Sequence, residues 1–488
     1  MQDQLQSLTI LFTEFYYWVT IVFMFLIHVG FATYEIAVVR PKNMQRTLMK
    51  TFVIIPLVTI TFFFFGWWIY NALPNGPGIT GGLAEGAADT AAPWSPLMAP
   101  NLSDRINGVF WAAFLLFSWT AAAIVSGALL ERVRTGAFLI IGTLVGSVLW
   151  IIDAAWGWHP EGWMVQVMGY HDAYASGVIH ALAGGATLGV LIVLGPRIGK
   201  FGKRGEVRDI KPHNVWLACV GLFLIFTGFW GFYVACNIPM LDVGTGGQVY
   251  FSATNIYLMP TTLSGITLNF LMSFSGGILA AYVVSRGDPF WTFSGGLAGV
   301  IATSAGNDLY HPIQSMLLAA IAVAIIFKLH FYVERRFKLD DVVGAVAVHG
   351  YAGVFGVVTA GFMLWGYPAA APVAGTTAWF TTPEGWPAIN PVGNTLGALI
   401  MFGLGFLPVY VVAKILNRFG LLRVPRAVEL VGLDVHDHTS AYPYFHGRVD
   451  GNGLADEERA LAEAMNDTAT VPPGAPSLGA LAREDMRR

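Results

Sequence analysis

The chain has 488 residues, of which 55% are hydrophobic and 12% charged, with a net charge of −3 and a mean hydropathy of +0.60. A water-soluble protein of this length needs far more charge on its surface, so the composition excludes a soluble globular fold and indicates a polytopic membrane protein. The net charge says little, because placement matters more than the total; no nucleic-acid partner is expected.

In chain order, the N-terminus MQDQLQSLTILF lacks a basic n-region and an A-x-A-like site, so an uncleaved start is expected rather than a secretory signal. Apolar runs long enough to cross a bilayer follow near 12–38, 50–72, 105–130, 135–154, 172–195, 214–237, 254–284, 291–306, 312–333, 342–366 and 394–417. That reading gives eleven spans, the eighth of them short. Cys219 and Cys236 fall on one predicted helix about 25 Å apart at roughly 1.5 Å per residue, so they cannot pair within it. No disulfide framework or cysteine-based zinc site is available, and no resident cofactor or metal is expected.

Basic residues cluster at 40–46 (RPKNMQR), 131–134 (ERVR), 195–211, 285–288 and 334–338, alternating with loops nearly free of Lys and Arg; Arg105 alone falls on the opposite side. With positive charge inside, the N-terminus is expected outside and the C-terminus in the cytoplasm. The membrane domain then spans 1–418, with loops rich in Gly, Ala and Pro at 73–104 and 367–393 on the outer side. Residues 419–450 are expected to pack on the membrane domain. Residues 451–488, rich in Asp, Glu, Arg, Ala and Pro, read as a polar tail with a short helix near 455–465 and then disorder.

Two intramembrane histidines carry matching contexts. Asp172-AYASGVI-His180-AL-Ala183-Gly184 and Asp341-VVGAVAV-His349-GY-Ala352-Gly353 are both D-x7-H-x2-A-G. Ionisable side chains within lipid-embedded helices are costly and face cavities or partners. One copy per half suggests a central site at a repeat interface. With five spans per half (about 12–197 and 213–367), the halves run in opposite senses, so the repeat is inverted and the eleventh span is extra. Small residues at helical spacing, such as Gly185 and Gly189 or Gly350, Gly353 and Gly356, suit close helix packing.

Two neutral imidazoles can hydrogen-bond each other and present a polar edge without placing a net charge in the membrane. A solute that sheds a proton, such as ammonium, could cross as the neutral amine, with the histidine pair as a relay. His28 reads instead as a helix–helix hydrogen-bonding residue and His330 as an interfacial one. Haem ligation fits poorly, because membrane haem helices commonly carry two histidines and each helix here has one. Phe117, Trp156, Trp158, Trp230 and Phe232 could attract a cation through their ring faces near the outer side. The bland alternative is that these are ordinary interfacial aromatics. No nucleophile–base set or metal cluster is evident, so an enzyme is not expected.

The landmarks VRPKN (39–43), GALLERVR (127–134), LGPRIGKFG (194–202), IKPHN (210–214), TGFWGF (227–232), VHGYAGVFG (348–356) and LLRVPRAVELVGLD (421–434), in this order, resemble the Amt/Mep/Rh family of ammonium transporters and ammonia channels. The likeness covers about 12–442 and lies nearer the Amt branch. It implies an eleven-span homotrimer in the cell membrane with one pore per subunit, conducting ammonium/ammonia and in some members methylammonium. It also implies a twin-histidine pore at His180 and His349 and an outer gate at Phe117 and Phe232. By the same resemblance, an outer ammonium site falls at Trp158 and Cys236, with Trp156 and Trp163 as competitors for the tryptophan. Asp172 matches a vestibule aspartate that caps backbone amides; Asp341 matches its second-repeat counterpart on the cytoplasmic side. A PII-type signalling partner on the cytoplasmic face is a further implication.

The chain departs from the family pattern at several positions. Cys236 replaces a serine and Ala113 a phenylalanine. Tyr233 replaces an asparagine, AYASG a common FAGG, and Gly344 an aspartate. Two other readings stay open: an ammonium sensor of low conductance, and an Rh-type gas channel.

Overall fold

The computed structural model describes residues 2–76, 91–98, 107–243 and 249–434. Most of the 73–104 loop and the 451–488 tail lie outside the described residues. Among the described residues, ten helices are long and apolar enough to cross a membrane. In chain order they are α1 (Gln2–Val38), α2 (Pro41–Ala72), α3 (Asn107–Ala128), α4 (Thr135–Gly157), α5 (Ser176–Leu194), α6 (Val215–Ala235) and α7 (Leu263–Val284). After the shorter α8 (Pro289–Ile301) come α9 (Pro312–Phe337), α10 (Val346–Met363) and α11 (Pro391–Arg418). The run expected near 291–306 is thus a 13-residue helix followed by the tight turn Ser304–Gly306, too short to cross a bilayer as a straight helix.

One expected boundary fails. The run near 254–284 begins at Leu263, because its first residues belong to a three-stranded antiparallel sheet. Strands β1 (Ile238–Val243) and β2 (Val249–Thr254) pair from Ile238 opposite Thr254 to Val243 opposite Val249, and β3 (Pro260–Thr261) adds to β2. Thr262 ends the sheet and starts α7 by accepting a hydrogen bond from the Gly265 amide. A run of Val, Tyr, Phe and Thr is apolar enough for either structure, so hydropathy alone does not separate them.

Small residues set the packing. Helices α1 and α6 lie along each other, and β-carbons added at Gly221 and Gly231 of α6 would fall 2.6 Å from Tyr34 N and 2.7 Å from Met24 N of α1. Helices α5 and α10 cross where Gly184 meets Gly350; a β-carbon at Gly184 would lie 2.1 Å from the Gly350 Cα. Helix α2 packs on α4, and α7 on α9. Helix α11 lies against α5, with Gly405 under the Leu182 carbonyl and Gly185 under that of Phe402.

The segment after α11 turns back onto the basic loops. Arg423 donates to the carbonyls of Leu194 and Pro196 at 2.9 and 2.7 Å and pairs with Glu429 at 2.8 Å. Asp434 accepts from the Gln45 and Arg46 amides. Nearby, Asp340 receives Arg197 through its backbone N, Nε and Nη2 at 2.8, 2.9 and 3.0 Å, with Arg132 at 3.9 Å. Burial pushes the Asp340 carboxyl up, but the Arg132 and Arg197 guanidiniums outweigh it and hold the group well below the usual carboxylate range.

Candidate functional site: an aromatic column ending in two histidines

Helices α5 and α10 both begin with a π-helical turn, Ser176–Ala181 and Val346–Tyr351, and each turn carries one of the histidines. The aspartates lie ahead of these turns and cap them. Asp172 Oδ2 accepts from the Gly177 and Val178 amides at 2.7 and 2.9 Å and from the Tyr170 hydroxyl at 3.2 Å. Asp341 uses both oxygens, Oδ1 for the Ala345 amide and Oδ2 for the Val346 amide, each at 2.8 Å. These amides are the free donors at a helix start, so each carboxylate fixes the orientation of the turn that bears its histidine. Burial pushes both carboxyls up to about 6, with the capping amides acting against it.

The close Gly184–Gly350 crossing brings the rings together. His180 Nδ1 and His349 Nδ1 are 3.0 Å apart, with ring centroids at 5.0 Å. One nitrogen must donate and the other accept, so the pair holds one proton between these atoms and two neutral rings satisfy the bond. His180 is fully buried and His349 is 5% exposed; His180 Nε2 has no hydrogen-bond partner among the described residues.

Aromatic rings continue the column. Phe232 stacks on His180 at 5.8 Å, and Phe117 meets Phe232 edge-on at 4.7 Å. Trp158 packs edge-on against Phe117 at 5.1 Å and donates from Nε1 to the Asp172 carbonyl at 2.7 Å. Trp158, Phe117, Phe232 and His180 each have 0% exposure, so the column is closed. Cys236 lies one turn beyond Phe232, buried, with its thiol donating to the Phe232 carbonyl at 3.3 Å.

Not every aromatic chosen from the sequence joins this column. Trp156 pairs with Trp163 at 5.8 Å, and Trp230 packs on Phe270 at 4.5 Å. Phe229, passed over in the sequence although it stands in the same TGFWGF segment, stacks on His180 at 6.0 Å and on Phe232 at 5.0 Å. The signal was its position one helical turn before Phe232, on the same face. Two other supports were missed. Trp150 donates to Ser118 at 2.7 Å and packs on Phe117 at 6.1 Å. Tyr257 accepts from the Asp172 amide at 2.9 Å and donates to the Gly157 carbonyl at 2.8 Å. Tyr257 lay in a stretch read as the start of a span, which hid its role.

The departures have local partners. Tyr233 stacks on Tyr174 at 4.3 Å and shares a hydrogen bond with Ser304 at 2.6 Å. Gly344 has φ +71, a left-handed conformation that glycine adopts freely.

Comparison with known proteins places the chain in a family. The model of the Ammonium Transporter Family matches residues 15–442. Ammonium transporter Amt2 of Methanocaldococcus jannaschii is 30% identical over 433 residues, covering 86% of this chain and 89% of that protein. Amt2 of Haloferax mediterranei is 30% identical over 454 residues, covering 90% and 93%. Among solved structures, a sensor Amt protein superposes with a TM-score of 0.71 at 22% identity, covering 89% of this chain and all of that one. Candida albicans Mep2 superposes at 0.65 with 18% identity, covering 88% and 90%. The structural likenesses concern the fold. The relatives are named transporters rather than enzymes, and with the family pattern running through nearly all of a multi-pass helical chain, this protein belongs to the Ammonium Transporter Family.

Proposed function

We propose that the protein conducts ammonia, derived from ammonium, through the column that ends in His180 and His349. The 3.0 Å Nδ1–Nδ1 contact carries this reading. It presents a chain of polar ring edges inside an apolar, closed path, which suits a small neutral solute and disfavours a cation. Ammonium is recruited at Trp158 and Cys236, whose ring face and sulfur offer weak attraction to a cation. Before the Phe117/Phe232 gate it gives its proton to a water molecule of the outer aqueous phase, leaving hydronium, and ammonia follows the histidines. Asp172 acts as a positioning residue, through the amides it caps.

The architecture belongs to the same proposal. The counterpart helices of the two halves, α1 with α6 and α5 with α10, pack on each other, and α2–α4 is matched by α7–α9. This pairing supports inverted five-helix repeats, with α8 and the turn Ser304–Gly306 together taking the place of the eighth of eleven spans and α11 as the extra one. The basic loops support an outer N-terminus and a cytoplasmic C-terminus in the cell membrane. A homotrimer and a PII-type partner on the cytoplasmic face complete the reading.

The test is ammonium-driven flux into liposomes with wild type, His180→Ala and His349→Ala. The expected outcome is transport in wild type and a large change in both variants. Unchanged transport in both would refute the pathway.

A further inference from the structure

At the end of the bundle that carries the C-terminal segment, beyond the histidine pair, lies a small cavity. It has room of about 20 Å³ for the centre of a water-sized molecule, enough for one such molecule. His349 lines it, and His180 does not. The other polar lining groups are Glu35, Tyr34 and Ser294, set among apolar neighbours such as Leu222 and Val343.

Glu35, in the last turn of α1, is 1% exposed. Its Oε2 accepts from the Thr51 hydroxyl at 2.9 Å and lies 3.8 Å from Lys50 Nζ. Its Oε1 is buried and has no hydrogen-bond partner among the described residues. A β-carbon added at Gly127, which lines the same cavity, would lie 3.7 Å from that oxygen. A carboxylate offers about four acceptor positions, and one hydrogen bond leaves most of them unfilled. Lys50 does not fill them: it sits on the Oε2 side and donates to the Ser126 carbonyl at 3.3 Å. The hydroxyls of Tyr34 and Ser294 stand 3.5 Å apart with free acceptor capacity.

We propose that Glu35 Oε1, with the Tyr34 and Ser294 hydroxyls, forms an inner ammonium site on the side of His349 remote from His180. The site rests on the ammonia pathway above. Ammonia leaving His349 takes a proton from a hydronium ion of the adjoining aqueous phase, leaving water, and the new cation donates to these three oxygens. Lys50, 3.8 Å from Oε2, offsets the Glu35 charge only in part, so the carboxylate at Oε1 can still hold one positive charge, whereas a divalent cation would leave more charge uncompensated in an apolar wall. The carboxylate thereby holds the product as ammonium and opposes its return through the histidines as ammonia.

Thallium(I), a monovalent cation visible by anomalous scattering, serves as the probe in crystals of the full chain. Wild type is expected to show a peak within about 3 Å of Glu35 Oε1, the range of a polar contact. Glu35→Gln, which keeps the shape and the Thr51 bond, is expected to lose it. Ser294→Ala, which leaves the Glu35–Lys50 pair intact, is expected to weaken it. In liposomes, Glu35→Gln is expected to raise the half-saturating ammonium concentration from that face about tenfold, equivalent to about 1.4 kcal/mol, while the opposite face changes little. A wild-type crystal with no peak at Glu35, or a peak that persists in Glu35→Gln, overturns the site. A peak beside Glu35 in a protein that conducts no ammonia would sustain the site and sink the transport reading.

Discussion

Replacing the two capping aspartates by asparagine is expected to have unequal effects, although the sequence presents them as equivalents. Asp172 holds the Gly177 and Val178 amides with Oδ2 alone, and its Oδ1 is buried without a partner among the described residues. An asparagine can place its carbonyl where Oδ2 lies and keep both amides satisfied. Asp341 needs both oxygens, one for Ala345 and one for Val346. An asparagine there keeps one bond and turns its NH2 towards the other amide, leaving a buried donor unpaired at a cost of about 1–3 kcal/mol. Loss of charge does not reverse the order, since burial has already pushed both carboxyls up to about 6. Asp341→Asn should therefore be less stable than Asp172→Asn by about 1–3 kcal/mol, read as apparent unfolding midpoints in detergent by tryptophan fluorescence at one scan rate. Equal losses, or a larger loss at Asp172, would refute the argument. The pH dependence has a fixed sign. A carboxyl whose folded value is raised from 3.8 to about 6 contributes most below that window, and its contribution falls as pH rises through it. The deficit of Asp172→Asn should shrink across the same interval.

Asp340→Asn leaves Arg132 and Arg197 buried with a weakened partner and is expected to cost about 3–5 kcal/mol, checked by thermal unfolding at neutral pH. Because the Asp340 carboxyl is depressed in the fold, its contribution is complete above 3.8 and disappears only as pH falls through the lower folded value. Wild type and variant should therefore converge only in strong acid. At the α5–α10 crossing, Gly184→Ala forces a β-carbon onto Gly350 and should cost at least about 1–3 kcal/mol, whereas Gly403→Ala in α11, with nothing within 4 Å, should be neutral or stabilising. Equal melting temperatures for these two variants would contradict the packing described. Cys236→Ser exchanges a weak acceptor for a hydroxyl and should lower the half-saturating ammonium concentration for flux; an unchanged concentration dependence would remove Cys236 from the outer site.

The helices were legible because lipid imposes a strict length and polarity on each span, and ten of the expected runs meet membrane-length helices whose ends differ by up to about ten residues. The sheet at 238–261 was not legible, since its Val, Tyr, Phe and Thr residues serve a strand or a span equally well. The histidine pair was legible from its repeated spacing and from the cost of burying an ionisable group. Its supports were not. Tyr257 reaches Asp172 from a distant turn, and Glu35 reaches the cavity beside His349 from the first helix. No periodicity in the sequence records contacts of that kind, because they depend on how helices far apart in the chain cross.

The two D-x7-H copies share a backbone device that their residues do not advertise. Three positions after each aspartate the chain is left-handed: Ala175 has φ +70 and Gly344 has φ +71. The matching kink turns the chain from the aspartate into the π turn, so that the carboxylate can reach back to the capped amides. Glycine takes this conformation freely, but alanine is strained there by about 1–2 kcal/mol. Against that strain, alanine limits the unfolded chain by about 0.4–1 kcal/mol relative to glycine. The difference between those terms favours glycine by about 0.5–1 kcal/mol, but Ala175 is buried and losing its methyl costs about 0.8 kcal/mol, so Ala175→Gly should leave stability within about 1 kcal/mol of wild type. Gly344→Ala should destabilise it, and more strongly than backbone strain alone requires, because the new β-carbon would lie 3.1 Å from the Trp291 ring. An Ala175→Gly variant whose flux matches wild type would show that the first repeat carries this strain without using it. Faster or slower flux would tie the strain to the setting of His180, five residues further on and held by the same turn.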